Sequence, residues 1–313
     1  MTTTARLRAL VTLAETGSVR AAAERLFVTE SAVSAALSAL AREIGVPLVE
    51  REGRGLRLTG PGTAYAGYAR RILGLHAEAL SAARGNLDPE SGRVRLVTVT
   101  TAGEHLVPGV LASFRAAHPR VELAVEVTTN DQVWAQLESH EADLAIGGRP
   151  PDGLDGVRVQ AVLRNELVVV ASPRLAERHQ PGRATWLMRE PGSGTRVACE
   201  AMLAAMQLDP PRLTLGSNGA VIAGAVAGLG VTLASRSAVR ARLEAGELVE
   251  LPTPGTPLRR PWHAVTARVA TPSTLLLVEH LLDGRPTIGE RWRRPRVGGP
   301  SGGSPGGSSA RGR

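Results

Sequence analysis

The sequence predicts two units of different fold class: an all-α unit with a two-stranded ribbon over residues 1–59, and an α/β unit of two lobes over residues 88–283. Three observations predict this. The first sixty residues carry helical periodicity broken by turn signals. From Arg93 the pattern switches to short apolar strands alternating with helices. One long helical stretch, 60–87, lies between the two, and a segment rich in Gly, Ser, Pro and Arg, 284–313, comes after them. With 313 residues, 43% of them apolar, the chain has enough material for a sizeable core in each unit.

In the small unit, Glu15-Thr16-Gly17-Ser18 opens a short helix over Val19–Leu26, Phe27-Val28 turns the chain, and Thr29–Ile44 forms a longer helix. Val33, Leu37, Leu40 and Ile44 of that helix share one apolar face, which must pack on its neighbours. The opposite face carries Ser31, Ser34, Ala35, Ser38 and Arg42. Small hydroxyls on a helix anchored from behind suit entry into the major groove of double-stranded DNA, where bulky side chains would hold the helix out. An ordinary surface helix would show Glu and Lys there. Gly45-Val46-Pro47 ends the helix, and Leu48–Arg51 and Gly55–Leu58 read as two short strands around the turn Glu52-Gly53-Arg54. The pattern is helix, turn, helix and wing. Its expected DNA contacts are Ser18, Thr29, Glu30, Ser31, Ser34 and Ser38 from the helices and Arg51 and Arg54 from the wing, with Arg57 also near phosphate.

Thr59 or Gly60 caps the next helix, Pro61 suits its first turn, and the pattern runs to about Arg84. Tyr65, Tyr68, Ile72, Leu75, Ala79 and Ala82 alternate spacings of three and four, as on a helix that pairs with another helix. Packing on its own domain is the alternative, but Gly85-Asn86 and Pro89 isolate the helix from the large unit. This favours a homodimer through Tyr65, Tyr68, Ile72 and Leu75, whose paired reading helices would face a palindromic site.

In the large unit, strands are expected at Val94–Val99, Val121–Val127, Leu144–Ile146, Glu166–Ala171, Trp186–Met188, Leu213–Leu215, Gly230–Ala234, Leu248–Leu251 and near His263–Arg268. Helices are expected at Pro108–His118, Asn130–His140, Gly194–Gln207, from Asn218, at Ser235–Ala245 and at Pro272–Leu282. Parallel sheets of this kind bind ligands at the carboxyl ends of their strands. Two segments carry chemistry there. Arg189–Arg196 follows a strand and precedes a helix, so its glycines bring backbone N–H groups toward a bound anion, with Arg196 as counter-charge. The same loop reads equally as a tight turn whose Ser193 or Thr195 merely caps the helix. Thr98–Thr101 places hydroxyls at the end of the first strand. Thr100, Thr101, Ser193, Gly194, Thr195 and Arg196 are thus the candidate site for a small anion, such as a phosphorylated metabolite, a carboxylate or a sulfur oxyanion.

Composition excludes much else. All 37 basic residues are arginine, which removes lysine-dependent phosphate loops and Schiff-base chemistry. Residues 1–86 hold eleven arginines against seven acids, 87–283 nineteen against twenty-one, and 284–313 seven against one. The pI near 11.1 therefore comes mostly from the last segment. That segment cannot bury enough surface to fold, and its arginines offer added nonspecific DNA affinity. Cys199, alone, excludes an internal disulfide and reads as a small core residue. His105 lies near the cleft, where helix-start packing is favoured over ligand contact. His76, His118, His140, His179, His263 and His280 are scattered without metal-ligand spacing, so neither metal nor cofactor is expected. Ala220–Ala234 is too short and glycine-broken to span a membrane, and Arg6 and Arg8 sit inside a helical pattern rather than before an apolar run. A cytoplasmic protein is expected.

These residues resemble a LysR-type transcriptional regulator over residues 4 to 283. Gly17-Ser18, Ala21–Leu26, Val28–Ser34 and Gly45–Arg51 match the family's DNA-binding signature in order and spacing. Ala142–Pro151, the loop Arg189–Arg196, Ser217-Asn218 and Ala227–Val231 look like the branch that includes regulators of carbon-fixation operons and of sulfur assimilation. The resemblance implies a winged helix-turn-helix, a dimerising linker helix and an effector domain like type 2 periplasmic binding proteins. It further implies a tetramer whose shape, and hence DNA bend and promoter occupancy by RNA polymerase, changes when an effector binds between the lobes. Crossovers between lobes are expected near Arg164-Asn165 and Trp262-His263. Glu30 and Ala36 stand where the family often has glutamines that approach bases, and Glu30 would favour a cytosine amino group. A solute-binding protein would need a signal segment and would lack residues 4–58. An enzyme with an appended DNA-binding module would need a catalytic set, and none has recognisable spacing here.

Overall fold

The computed structural model describes residues 3–52, 55–85, 88–178, 182–284 and 290–295. Helices α1 (Thr4–Thr16), α2 (Val19–Leu26) and α3 (Glu30–Ile44) enclose a core of Leu7, Leu10, Leu13, Ala22, Val33, Leu37 and Leu40. Two hydroxyls set the helix starts. Ser18 accepts from the Ala21 N–H at 3.1 Å and Thr29 from the Ala32 N–H at 3.2 Å, caps worth about 1 kcal/mol each. Strands β1 (Val49–Glu52) and β2 (Gly55–Leu58) pair antiparallel as the wing. Gly53 and Arg54, at its tip, lie outside the described residues.

Thr59 accepts from the Gly62 N–H at 3.0 Å and starts α4 (Gly60–Gly85). Ala66 and Ala69 bury one face of α4 in the small-unit core. Tyr65 departs from the expected dimer seam. It lies four residues before Ala69, on the face that meets this core, and is half-buried there. Tyr68, Ile72 and Leu75 stay exposed. Farther along, Gly74 touches the corner 138–141 of the large unit so closely that a Cβ would lie 2.4 Å from the Ser139 carbonyl oxygen. His140 Nδ1 is 2.8 Å from Glu78 at the same junction, and Arg71 pairs with Glu138.

After a 3-10 turn at Pro89–Ser91, lobe I begins with β3 (Arg93–Val99), α5 (Thr100–His105), α6 (Val107–Ala117), β4 (Glu122–Thr128), α7 (Asn130–Glu138), β5 (Leu144–Gly147) and β6 (Val157–Leu163). The chain crosses to lobe II for β7 (Glu166–Ala171), α8 (Pro173–Ala176), β8 (Trp186–Met188), α9 (Gly194–Ala205), β9 (Arg212–Thr214), α10 (Asn218–Val226), β10 (Thr232–Ser235), α11 (Arg236–Glu244), β11 (Val249–Glu250) and β12 (Leu258–Arg259). It then returns to lobe I for β13 (Trp262–Ala267) and α12 (Pro272–Asp283). The second crossing falls at Arg260-Pro261, two residues before its expected place.

The sheets are mixed rather than parallel. In lobe I the order is β4-β3-β5-β13-β6, with β3 parallel to both neighbours but β13 antiparallel to β5 and β6. In lobe II, β7 is antiparallel to β10, β11 and β12. The reason is connectivity. A helical crossover within one sheet forces parallel strands, whereas β13 arrives from the other lobe. Strands β6 and β12 and helices α5 and α8 are additions to the elements expected from sequence.

The last segment also departs from expectation. Trp292 is buried in the lobe I core, and Arg293 exchanges two backbone hydrogen bonds with Val162 of β6, at 2.8 and 2.9 Å. One large aromatic and an open sheet edge outweigh the unfavourable average composition of residues 284–313. Residues 285–289 and 296–313 lie outside the described residues.

Candidate functional site

The two candidate sites are built differently. On α3, burial of Val33, Leu37 and Leu40 fixes the helix's rotation, and Glu30, Ser31, Ser34, Ala35, Ser38 and Arg42 are left exposed together. The Ser18 and Thr29 hydroxyls are engaged as caps, and Thr29 Oγ1 also lies 2.9 Å from Ser31 Oγ, so both hold the helices in place. Glu30 sits in the first turn of α3, where the helix dipole favours a carboxylate. On the wing, Arg57 pairs with Glu50 at 2.7 Å, whereas Arg51 is exposed without a carboxylate partner among the described residues. Phe27, at the turn before α3, is 95% exposed.

The second site is a cleft of about 460 Å3 between the lobes. Thr100 and Thr101 reach it from the start of α5, Thr129 and Asn130 from the start of α7, and Ser193, Gly194 and Thr195 from the start of α9. Neither α5 nor α9 has a side-chain cap, whereas Ser217 caps α10 and Thr271 caps α12. The first-turn amides of α9 are therefore free of side-chain acceptors where they meet the cleft. The hinge behind is stapled by Asn165, which donates to the Arg260 carbonyl at 2.9 Å and accepts from Ser235 at 2.6 Å.

Two arginines, one buried and one half-buried, meet at the cleft in different electrostatic states. Arg189, 4% exposed, is neutralised by a two-pronged contact with Glu190 at 2.8 and 2.6 Å and also donates to Thr101 at 3.3 Å and Asn218 at 3.1 Å. Burial works to raise the Glu190 carboxyl, but the Arg189 hydrogen bonds, its own backbone N–H and the guanidinium charge hold it below the usual carboxylate range. Arg260 has no carboxylate partner among the described residues. Its Nη1 donates to the Gly194 carbonyl, and burial lowers its pKa. Gly194 permits this approach, since a Cβ would lie 2.8 Å from Arg260 Nη2.

The structure brings Thr100, Thr101, Ser193, Gly194 and Thr195 together and leaves Arg196 out. Arg196 binds Glu200, one helical turn on, at 2.8 Å and the Arg189 carbonyl at 3.0 Å, so its charge turns back along α9. Arg260, far away in sequence, occupies the place assigned to it. His105 hydrogen-bonds Asn218 at 3.1 Å beside α10 rather than lining the cleft. Cys199 is buried 3.7 Å from the Met188 sulfur, and burial pushes its thiol up to about 12, as befits a core residue. His179 lies outside the described residues. Among the described residues no helix is long and apolar enough to cross a membrane.

Comparison with known proteins finds a family for each of the two units. The model "Bacterial regulatory helix-turn-helix protein, lysR family" matches residues 4–63, and "LysR substrate binding domain" matches 87–285. The HTH-type transcriptional regulator CfxR of Cupriavidus necator is 35% identical over 265 residues, 82% of this chain and 83% of its own length. Full-length CbnR, solved in complex with target DNA, superposes with a TM-score of 0.61 at 20% identity over 89% of this chain and 98% of that chain. The regulatory domain of Synechocystis PCC6803 CcmR, solved with 2-PG, gives a TM-score of 0.53 at 27% identity, covering 60% of this chain and 94% of that one. The readings as a transport solute-binding protein or an enzyme give way to these matches, which pair the winged DNA-binding unit with the two-lobed effector domain in one regulator. The chain belongs to the LysR family of bacterial transcriptional regulators.

Proposed function

We propose that this regulator binds promoter DNA through α3 and the β1–β2 wing, and that a small anion closing the interlobe cleft modulates that binding. Arg260 carries the reading. It is a half-buried cation with no acid to neutralise it among the described residues, beside the hydroxyls of Thr100, Thr101, Ser193 and Thr195 and the uncapped start of α9. An anion there would contact α5 of lobe I and α9 of lobe II at once, and so favour closure. That the Synechocystis neighbour is solved with 2-PG supports a ligand of small size. The likeness to CfxR supports a carbon-metabolism promoter as target. The exposed seam Tyr68, Ile72 and Leu75 supports pairing of two α4 helices, two such dimers making a tetramer in the cytoplasm, where its DNA lies.

Calorimetric titration of the full chain with 2-PG, inorganic phosphate and sulfate tests the reading, with Arg260→Gln as comparison. The anion that binds wild type should bind the variant at least about tenfold more weakly, as expected when a charge-assisted hydrogen bond is lost. Promoter binding without anion should be unchanged. Equal affinities move the site elsewhere, and no binding by any of the three removes the anion.

A further inference from the structure

A second basic depression lies on the outside of the hinge, and its walls include residues beyond the matched family domain, which ends at residue 285. The segment 290–295 crosses here as a strap. Trp292 anchors it in the lobe I core and Arg293 ties it to the end of β6. The depression, about 1360 Å3 and partly open to solvent, is bounded by that strap, by the first crossing at Arg164-Asn165 and by Arg259 of lobe II. Five arginines line it against one glutamate.

The partners of these arginines decide what the depression can bind. Arg164 is held by Glu166 at 2.6 Å, with Glu290 at 4.0 Å, and Arg294 is held by Glu279 at 2.7 Å. Arg259, Arg291 and Arg293 have no hydrogen-bonded carboxylate among the described residues, although Glu166 lies within electrostatic reach of Arg259. Arg259 from lobe II and Arg291 and Arg293 from the strap line the same depression without hydrogen-bonded acidic partners of their own among the described residues. Guanidinium forks match phosphoryl oxygens in geometry. Three guanidiniums without such partners match in charge an anion with two or more phosphoryl groups rather than a single monovalent ion.

We infer that the C-terminal strap builds a second anion site, across the back of the hinge, for a small molecule carrying at least two phosphoryl groups, held by Arg259, Arg291 and Arg293. Because its walls belong to lobe II on one side and to the lobe I strap on the other, an occupant fixes the hinge angle from outside. It thereby acts on the same closure as the interlobe cleft while sharing none of that cleft's charged residues.

Inorganic pyrophosphate is the probe, titrated calorimetrically into the full chain carrying Arg260→Gln, so that the interlobe cleft does not contribute. Binding should persist in that background. It should fall at least tenfold when Arg259→Gln, Arg291→Gln and Arg293→Gln are added, and equally in a Trp292→Ala chain, where every arginine of the depression remains but the strap loses its anchor. Matched ionic strength in chloride should not compete. The inference is overturned by affinity that survives the triple substitution, by loss of binding on Arg260→Gln alone, or by chloride competing as well as unlabelled pyrophosphate. DNA phosphates are the other source of the same chemistry. A triple variant whose promoter affinity shows a shallower salt dependence would assign the arginines to DNA and overturn the small-molecule site, whereas an unchanged slope supports it.

Discussion

The proposed reading face of α3 and the proposed anion site in the interlobe cleft are built with opposite arrangements. The α3 face is convex, bare and solvated, so its hydroxyls wait at little cost while water satisfies them. The cleft is concave and partly dry, so each buried charge there needs a partner, and Glu190 supplies one to Arg189. Arg260, half-buried, has no such partner among the described residues. On an exposed face an unpaired arginine says little, because water and salt screen it. In a cleft, the same lack of a partner marks the point that a ligand's charge completes.

The largest effect is expected at the bare face. Ser34→Arg puts a long side chain where the helix meets base edges, and specific promoter affinity should fall by about 100-fold, near the upper value of a lost base contact. Far-ultraviolet circular dichroism should not change, because Ser34 is exposed on the side of α3 away from the core. Footprinting decides: protection of the same sequence at unchanged affinity would mean that another side of α3 faces the groove.

A smaller effect is expected in the cleft. Thr195→Val keeps the shape and removes one donor, which should weaken the bound anion about tenfold, or ~1.5 kcal/mol, for a hydrogen bond to a charged group. Promoter binding without anion should stay at the wild-type level. Calorimetry on both proteins reads it out, and equal affinity would leave the α9 loop as a structural turn.

The smallest effect separates the two units by pH. Burial is the first cause that holds His105, His263 and His280 below the ordinary imidazole range. The unfolded chain therefore takes up their protons first, near pH ~6.5. Stability of the α/β unit is complete above that pH and is lost as pH falls from it toward the depressed folded values. The first histidine in the chain is His76, so the α1–α3 unit has none. All four tryptophans, Trp134, Trp186, Trp262 and Trp292, report on the α/β unit. The fluorescence-detected melting temperature should drop by a few degrees between about pH 7.5 and 6, and a flat or rising trace would sink the assignment.

The α3 face was readable because one helix carries it whole, and period alone separates its buried residues from its exposed ones. The cleft was readable in part. Its hydroxyls and glycines lie next to each other in the chain, but the choice of arginine does not follow from adjacency. Arg196 stands beside the loop, yet Glu200 four residues on is a local rival for it, a signal that was present in the sequence. Arg260 joins Gly194 across 66 residues, and only the return crossing between lobes brings them together. Strand β6 had its own signal, since Val157, Val159 and Ala161 alternate with Arg158 and Gln160 before the apolar end Val162-Leu163. Trp292 was hidden by the average composition around it, although a lone large aromatic in such a stretch is an anchor waiting for an edge.

Helix α4 is a shaft of 26 residues, about 39 Å long at ~1.5 Å per residue. It is clamped at two points, by the small-unit core at Ala66 and Ala69 and by the 138–141 corner of lobe I at Gly74, and neither clamp has slack. A shaft held this way transmits torque rather than absorbing it. On the proposed closure, a tilt of lobe I would be delivered through α4 to the wing, and the spacing of two reading helices on DNA would be geared to the angle of a hinge that neither helix touches.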